Sequence, residues 1–368
     1  MHLGCIDYKN KRLRAMNKML HGWLLAACCA LPPAYAGGSV DVLSQPAVQG
    51  PQALRAVLQD VARAGTRLVS VGERGVVLLS DDNGKAWRQA KTVPVSVSLT
   101  AVQFVDERNG WAVGHAGVVL RSEDGGEHWT LQLDGKRAAA LELQAAEASA
   151  DERRLAAAQR LLADGADKPL LALSFADAQH GLVVGAYGLA MITADGGRSW
   201  QSGMGLLPNR RGLHLYALAR QGADVYVAGE QGLLLRSRDG GAHFEALQGP
   251  YDGSYFAASV LPNGRLLVGG LRGSLFASDD GGASFQALAN PIPASLNGIR
   301  VAGDHVLLAN QAGMLLRSSL SDFAAHPLPV SDGLPLTAAT TAADGAIVAV
   351  GMAGARRLAP SSSSSTKD

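Results

Sequence analysis

The sequence predicts an all-β fold: a seven-bladed β-propeller of four-stranded antiparallel blades, with a helical hairpin inserted between blades two and three. Three observations carry this. A glycine-centred motif recurs seven times at a near-constant period, a polar turn follows it in five copies, and one long gap has a helical composition.

The recurring frame is a short apolar run, typically Val-Gly-x-x-Gly, a second apolar run, a polar turn and an aromatic. Its first Gly position holds Gly72, Gly114, Gly185, Gly229, Gly270, Asn310 and Gly351, and its second holds Gly75, Gly117, Gly188, Gly232, Gly273, Gly313 and Gly354. Successive first positions are 42, 71, 44, 41, 40 and 41 residues apart. Asn310 standing in for Gly suggests a position of positive φ, because Asn tolerates that region best after Gly.

The polar turn is more specific. Ser80-Asp81-Asp82-Asn83-Gly84-Lys85-Ala86-Trp87 is followed by copies at Ser122–Trp129, Thr193–Trp200, Ser237–Phe244 and Ser278–Phe285. Each has a hydroxyl, an Asp two residues on, a Gly two further and an aromatic three beyond. The carboxylate can accept N–H groups within its own turn, and the aromatic opens the next strand. In the second copy, Thr100–Val105, Trp111–Val113, Val118–Leu120 and Trp129–Leu131 read as four strands in about forty residues. One such meander cannot bury both faces, so neighbouring copies must stack, and four-stranded units of this length stack into a ring.

The ends are atypical. Blade six keeps Ser318 and Phe323 but no Gly between them, and blade seven offers three strands, near Leu336–Ala339, Ala346–Val350 and Gly354–Leu358. Val40–Val48 is expected to supply the missing outer strand of blade seven. The propeller is assigned to residues 37–359, and the Ser-rich tail 360–368 is expected to be disordered.

The 71-residue gap contains an insert at about residues 134–165. Lys136–Ala148 and Ala150–Ala163 are rich in helix formers, Ser149 with Glu152 forms a capping-box signature, and Gly165 is a terminator. Leu141 and Ala145 on the first helix, and Leu155, Ala158 and Leu162 on the second, form apolar stripes that pack together or present a surface.

Composition narrows the function. The 368 residues carry a formal net charge of +1, with Lys9, Lys11, Arg12, Arg14 and Lys18 before the apolar Leu24–Leu31 and the small residues Ala34-Tyr35-Ala36. That is an export signal over residues 1–36, implying a periplasmic protein. Leu25-Ala26-Ala27-Cys28 also matches a lipoprotein box, which would place a lipid anchor on Cys28. Removing five Lys/Arg and one Asp with the leader leaves 28 basic and 31 acidic residues and no cysteine, since Cys5, Cys28 and Cys29 all precede the cleavage site. Nucleic-acid binding, disulfides and thiolate metal sites are disfavoured. The His residues are isolated, the doubled glycines precede strands rather than a phosphate-binding helix, and no cofactor or metal site is expected.

In a propeller, the turn between the second and third strands and the link to the next blade emerge on one face. That face is expected to gather Glu73, Arg74, His115, Tyr187, Glu230, Gln231, Arg272 and Gln311 from the glycine turns, with Arg210, Arg211, Tyr251 and Tyr255 from the links. Ordinary hydrophilic turns would look the same one by one. Their convergence around one opening makes them the candidate partner-binding face.

The repeats resemble the Asp-box, or bacterial neuraminidase repeat, class. Over about residues 55–355 the chain resembles the photosystem II stability and assembly factor family, carried by "VQFVDERNGWAVGHAGVVLRSEDGGEHW" and its near copy "LSFADAQHGLVVGAYGLAMITADGGRSW". The resemblance implies an exported, non-catalytic scaffold that assists assembly of a membrane complex, with an envelope or membrane protein as partner and a monomeric state. The insert and the missing late boxes leave the partner open.

The alternative is a glycan-binding or sialidase-like propeller. Such an enzyme needs converging arginines, a Tyr–Glu nucleophile pair and an acidic donor. Of Arg74, Arg121, Arg236, Arg272 and Arg317, three (Arg121, Arg236 and Arg317) occupy one repeat position and read as blade structure. The box carboxylates Asp82, Asp124, Asp195, Asp239 and Asp280 belong to turns on the opposite face.

Overall fold

A computed structural model describes residues 41–321, 323–330 and 333–359. Six four-stranded antiparallel sheets and one three-stranded sheet follow each other along the chain. Their inner strands are Leu58–Ala64, Leu99–Phe104, Leu170–Phe175, Leu215–Gln221, Tyr255–Val260, Leu296–Ala302 and Leu336–Thr341, and together they line one central channel. The second strand of each blade is its apolar spine. Gly110–Gly114, Gly181–Gly185, Leu266–Gly270 and Ile347–Gly351 are buried along their whole length, because adjacent blades cover both faces.

The two frame glycines do different work. The second is left-handed, as at Gly75 (φ 73°) and Gly188 (φ 75°). Arg74 before Gly75 is left-handed too (φ 53°, ψ 32°), and Val76 N donates to Glu73 O at 3.0 Å, as in a type I′ hairpin turn. The first glycine is extended (Gly72 φ −164°), and Asn310 is not among the positive-φ residues, so the expectation of positive φ there is wrong. Close backbone approach selects glycine instead. A Cβ on Gly72 would sit 2.2 Å from Val57 O, and one on Gly270 would sit 2.0 Å from Ser254 O.

The polar turns close on themselves. Ser80 Oγ donates to Asp82 Oδ1 (2.8 Å) and accepts from Gly84 N (2.8 Å), while Lys85 and Ala86 N–H donate to the same carboxylate oxygen. Each box aromatic then packs towards the preceding blade: Trp129 enters the cluster of Val69 and Leu79, and Trp200 that of Trp111 and Leu133. Blade six has lost the box yet still buries Phe323, left-handed at φ 49°.

The insert folds as α1 (Gly135–Glu147) and α2 (Glu152–Asp164). Asp134 caps α1 by accepting from Arg137 N. Asp151, not Ser149, caps α2, accepting from Arg153 and Arg154 N–H. The carboxylate beside the first turn outcompetes the hydroxyl two residues earlier, which turns back to Ala146 O. The apolar stripe of α2 runs through Leu155, Ala158 and Leu161, and Leu162 is exposed. Glu142 is buried (2% exposed) and receives two 2.9 Å hydrogen bonds from Arg154 and one from the Ser202 hydroxyl. Ser202 lies in the outermost strand of blade three (Gln201–Ser202), so α1 is fixed to the rim of the ring.

The ends close differently from expectation. Residues 41–50 form no strand and do not complete blade seven. They run beside blade one and its outgoing link: Ala47 N donates to Val93 O (3.0 Å), Ser96 N to Val42 O (3.0 Å) and Gly50 N to Gln89 Oε1 (2.7 Å). Pro46, without an N–H, and Pro51 suit this extended run and break a ladder. Among the described residues blade seven has three strands. Side chains join it to blade one, with Thr337 Oγ1 on Leu58 O (2.9 Å) and Arg357 Nε on Asn83 O (3.0 Å), and Val348 packs with Leu68 and Trp87. The expected leader, Cys28, Val40 and the tail lie outside the described residues.

Candidate functional site

The glycine turns and the inter-blade links share one face. The nearest atoms to a Cβ on Gly117 belong to Gly135 at the start of α1. Those to Gly232 and Gly273 are Tyr251 O (2.6 Å) and Ile292 O (2.5 Å), each in the following link. The polar boxes instead meet the first hairpin of their blade, as Gly125 meets Glu107 O and Gly196 meets Ala178 O. The helical insert therefore leaves the ring on the turn face, and the box carboxylates sit on the other.

On the turn face, Arg74, Tyr187, Gln231 and Arg272 occupy the same turn position at φ 53°, 55°, 52° and 57°, and all four are exposed. Ala116 takes it in blade two (φ 56°), next to exposed His115, and Gln311 is exposed in blade six. A left-handed non-glycine residue costs on the order of 1 kcal/mol, so these turns hold long side chains outward against backbone preference.

The other expected residues divide. Glu73 and Glu230 turn inward, each accepting the N–H that precedes an inner strand: Val57 N on Glu73 Oε1 (3.2 Å) and His214 N on Glu230 Oε2 (3.1 Å). Arg210, Arg211, Gln231 and Tyr251 line one pocket of about 280 Å³, and Arg211 is hydrogen-bonded to Gln231. Tyr255 does not belong to the surface. It opens the inner strand of blade five with its ring fully buried, its hydroxyl donates to Tyr251 O (3.1 Å), and burial pushes its phenol well up.

Four residues absent from the expected set extend this face to the channel. Lys168 Nζ lies 5.0 Å from the Tyr187 ring centroid, and Tyr187 N donates to His214 Nδ1 at 3.0 Å. The rings then step inward: Tyr187 to His214 (4.7 Å), His214 to Tyr216 (5.9 Å) and Tyr216 to Phe256 (5.1 Å). For His214 and Tyr216 the sequence signal is the alternation in Leu213–Leu218.

The channel itself, about 420 Å³, is lined by inner strands of all seven blades. Its charges are already matched to neighbours. Arg300 bonds Asp60 at 2.8 Å and Val102 N donates to the other carboxylate oxygen (3.0 Å), with burial raising the Asp60 pKa against the influence of Arg300. Arg220 donates to Ser174 Oγ (3.1 Å) and Gly240 O (3.2 Å). None of Arg74, Arg121, Arg236, Arg272 or Arg317 lines it. Arg121 lies over Trp111 and pairs with Glu123, and Arg236 lies over Tyr226 beside Asp224. The converging arginines of a sialidase centre are therefore missing among the described residues, as are groups of three or more His, Cys, Asp or Glu able to hold a metal ion. No described helix is long and apolar enough to cross a membrane.

These features define a class, the seven-bladed Asp-box β-propeller with a helical insert. Part of the chain is similar to the photosystem II assembly-factor propellers. A family model described as "Photosynthesis system II assembly factor YCF48" matches residues 160–250, the end of α2 with blades three and four. "Photosystem II assembly lipoprotein Ycf48" of Synechococcus sp. (strain CC9902) is 35% identical over 77 residues, 21% of this chain and 23% of the relative. The chain thus matches about a quarter of the length of that curated relative. Among solved structures, YCF48 bound to D1 peptide superposes with a TM-score of 0.59 at 17% identity, covering 84% of this chain and 94% of that one. YCF48 from Cyanidioschyzon merolae gives 0.59 at 18% identity, covering 84% and 96%.

Proposed function

We propose that this protein is a non-catalytic scaffold of the periplasm that binds a partner protein on its turn face and assists assembly or stability of a membrane or envelope complex. One observation carries the reading. Around a single channel mouth, four turns hold Arg74, Tyr187, Gln231 and Arg272 outward at left-handed positions, whereas the opposite face carries self-satisfied polar boxes. Strain kept at exposed side chains on one face is the pattern of a binding surface. A structural relative is YCF48 bound to D1 peptide, which makes a protein ligand the natural class here. Location rests on the leader sequence alone, and mass spectrometry of the mature N-terminus tests it. Cleavage after Ala36 leaves Gly37 first, and lipoprotein processing leaves a modified Cys28.

The face is tested with a photo-crosslinking amino acid at Arg272 or at Lys85, which is exposed on the box face. In envelope extracts a discrete adduct is expected from position 272 and not from 85. Equal yields at both, or an adduct at 85 alone, contradict the proposal.

A further inference from the structure

The first polar box departs from the other four at one position. Asn83 stands where blades two to five place Gly125, Gly196, Gly240 and Gly281, and it keeps their left-handed backbone (φ 64°, against 73°, 75°, 78° and 70°). Space allows a side chain there. The first hairpin of blade one turns in two residues, Gly65 and Thr66, as that of blade four turns in Gly222 and Ala223, and a Cβ on Gly240 of blade four meets nothing within 4 Å. In blades two and three a Cβ would lie 2.9 Å from Glu107 O and 2.6 Å from Ala178 O.

The added side chain crosses the seam between the first and last blades. Its Oδ1 accepts from Asp344 N (3.3 Å), in the first hairpin of blade seven, and the Asn83 backbone oxygen accepts from Arg357 Nε (3.0 Å). Arg357 Nη2 in turn donates to Asp344 Oδ2 (2.6 Å). Gly84 is buried against the same blade: a Cβ on it would sit 2.7 Å from Val348 Cγ2, and its N–H donates to Ser80 Oγ (2.8 Å).

Asn followed by Gly is a reactive pair, because the Gly nitrogen is not shielded by a Cβ. That nitrogen can attack the Asn side-chain carbonyl carbon. The N–Cγ bond forms, the Cγ–Nδ2 bond breaks, and ammonia leaves with the amide proton. Water then opens the succinimide at either carbonyl, without any redox change. The product is aspartate or, with the main chain rerouted through Cγ, isoaspartate.

In the closed ring the reacting groups are held apart, Gly84 by Ser80 and Val348 and Asn83 by Asp344 and Arg357. We propose that Asn83-Gly84 is a deamidation site gated by the seam between blades one and seven. Closure suppresses the reaction and opening of the seam admits it. The isoaspartate product adds a methylene to the main chain of the box, so the box cannot re-form its closed set of hydrogen bonds. The modification therefore records an opened ring and keeps it weakened.

Three further Asn-Gly pairs occur, at Asn109, Asn263 and Asn297. Asn263 is exposed at the tip of the first hairpin of blade five, with Oδ1 accepting from Arg265 N (3.1 Å) in the same turn, and serves as an internal reference. The test follows positions 83 and 263 by peptide mapping and mass spectrometry after incubation at mildly alkaline pH, with the protein folded or unfolded in urea. Modification of a site that must first open tracks the population of the open form. Folding should thus slow position 83 by at least about tenfold, and by more than it slows position 263. Arg357→Ala, with folding checked by a melting curve, should speed position 83 about threefold or more and leave position 263 unchanged. The fraction modified at position 83, separated by anion exchange on its added charge, should unfold at lower urea than the parent. Equal rates at position 83 in the folded and unfolded protein overturn the proposal. So does a folded Arg357→Ala variant that leaves position 83 unchanged or speeds both positions alike, or a modified fraction as stable as the parent. The comparison of folded and unfolded wild type stands whatever the variant does.

Discussion

Thr337 Oγ1 donates to Leu58 O at 2.9 Å, so one hydroxyl bonds the last inner strand of the ring to the first. With no outer strand shared between the ends among the described residues, such side-chain links and the Val348–Leu68–Trp87 packing carry the closure. Thr337→Val keeps the shape and removes the donor, and should cost about 1–2 kcal/mol in urea unfolding. Thr100→Val removes the matching bond to Leu170 O (2.7 Å) between blades two and three and should cost a similar amount. No loss in either would mean that these bonds are incidental.

The insert predicts a non-additive pair. Glu142 is buried and held by Arg154, whose own side chain is about a quarter exposed. Arg154→Leu strands the carboxylate and should destabilise by about 3 kcal/mol, whereas Arg154→Leu with Glu142→Leu should lie close to wild type. Urea denaturation of the two single variants and the double variant measures the coupling. Additive losses would contradict the ion-pair account.

Acid should weaken the boxes in a defined window. The Ser199 hydroxyl and N–H hold Asp195 down at about 2, and the His180 side chain does the same for Asp177, also at about 2. Asp239 and Asp280 are held lower still by N–H and side-chain donors of their own turns. A carboxylate with a depressed folded pKa binds its proton more readily in the unfolded chain. Its stabilisation is complete above about pH 4 and lost as pH falls towards 2. Asp60 is shifted upward by burial and acts in the opposite sense. Asp195→Asn should therefore reduce the stability lost between pH 4 and pH 2.5, measured by urea unfolding at both. An unchanged pH dependence would show that the box does not carry this linkage.

The extended frame glycines should be intolerant for a steric reason. Gly270→Ala places a Cβ 2.0 Å from Ser254 O and should cost upwards of about 3 kcal/mol or abolish folding, while Gly303→Ala meets nothing within 4 Å and carries only the cost of its left-handed backbone (φ 66°). Comparable melting temperatures for the two would contradict the close-approach account.

The architecture was legible because a repeated unit states its period several times over. Seven glycine frames fix the number of blades, and five boxes fix which loops share a face. What stayed hidden depends on non-local partners or single-residue slips. Residues 41–50 precede the first complete blade with no other obvious partner in the sequence, yet the acceptors at Val93 and Gln89 hold them beside blade one. Asn310 looked like a left-handed residue because the sequence cannot separate a φ requirement from the close backbone approach that selects glycine at the other six frame positions. A bulge at the second position of every inner strand, where the register to the next strand skips one residue, shifts which residues face the channel. That slip buries Tyr255 and brings Tyr216 and Phe256 to the mouth. The outward residues of the glycine turns were readable from turn chemistry, whereas the aromatic path through His214 exists only once blades three, four and five are side by side.

The central claim is that the strained turn residues are held for binding, and one paired measurement tests it most directly. Arg74→Asn with Arg272→Asn places at each apex a residue that tolerates the left-handed turn, so the protein should gain about 1 kcal/mol in unfolding free energy. The same variant, carrying the photo-crosslinker at Tyr187, should lose most of the adduct that the parent with the same crosslinker forms in envelope extracts. Higher stability with crosslinking lost is the result this account predicts. Higher stability with crosslinking intact would contradict it.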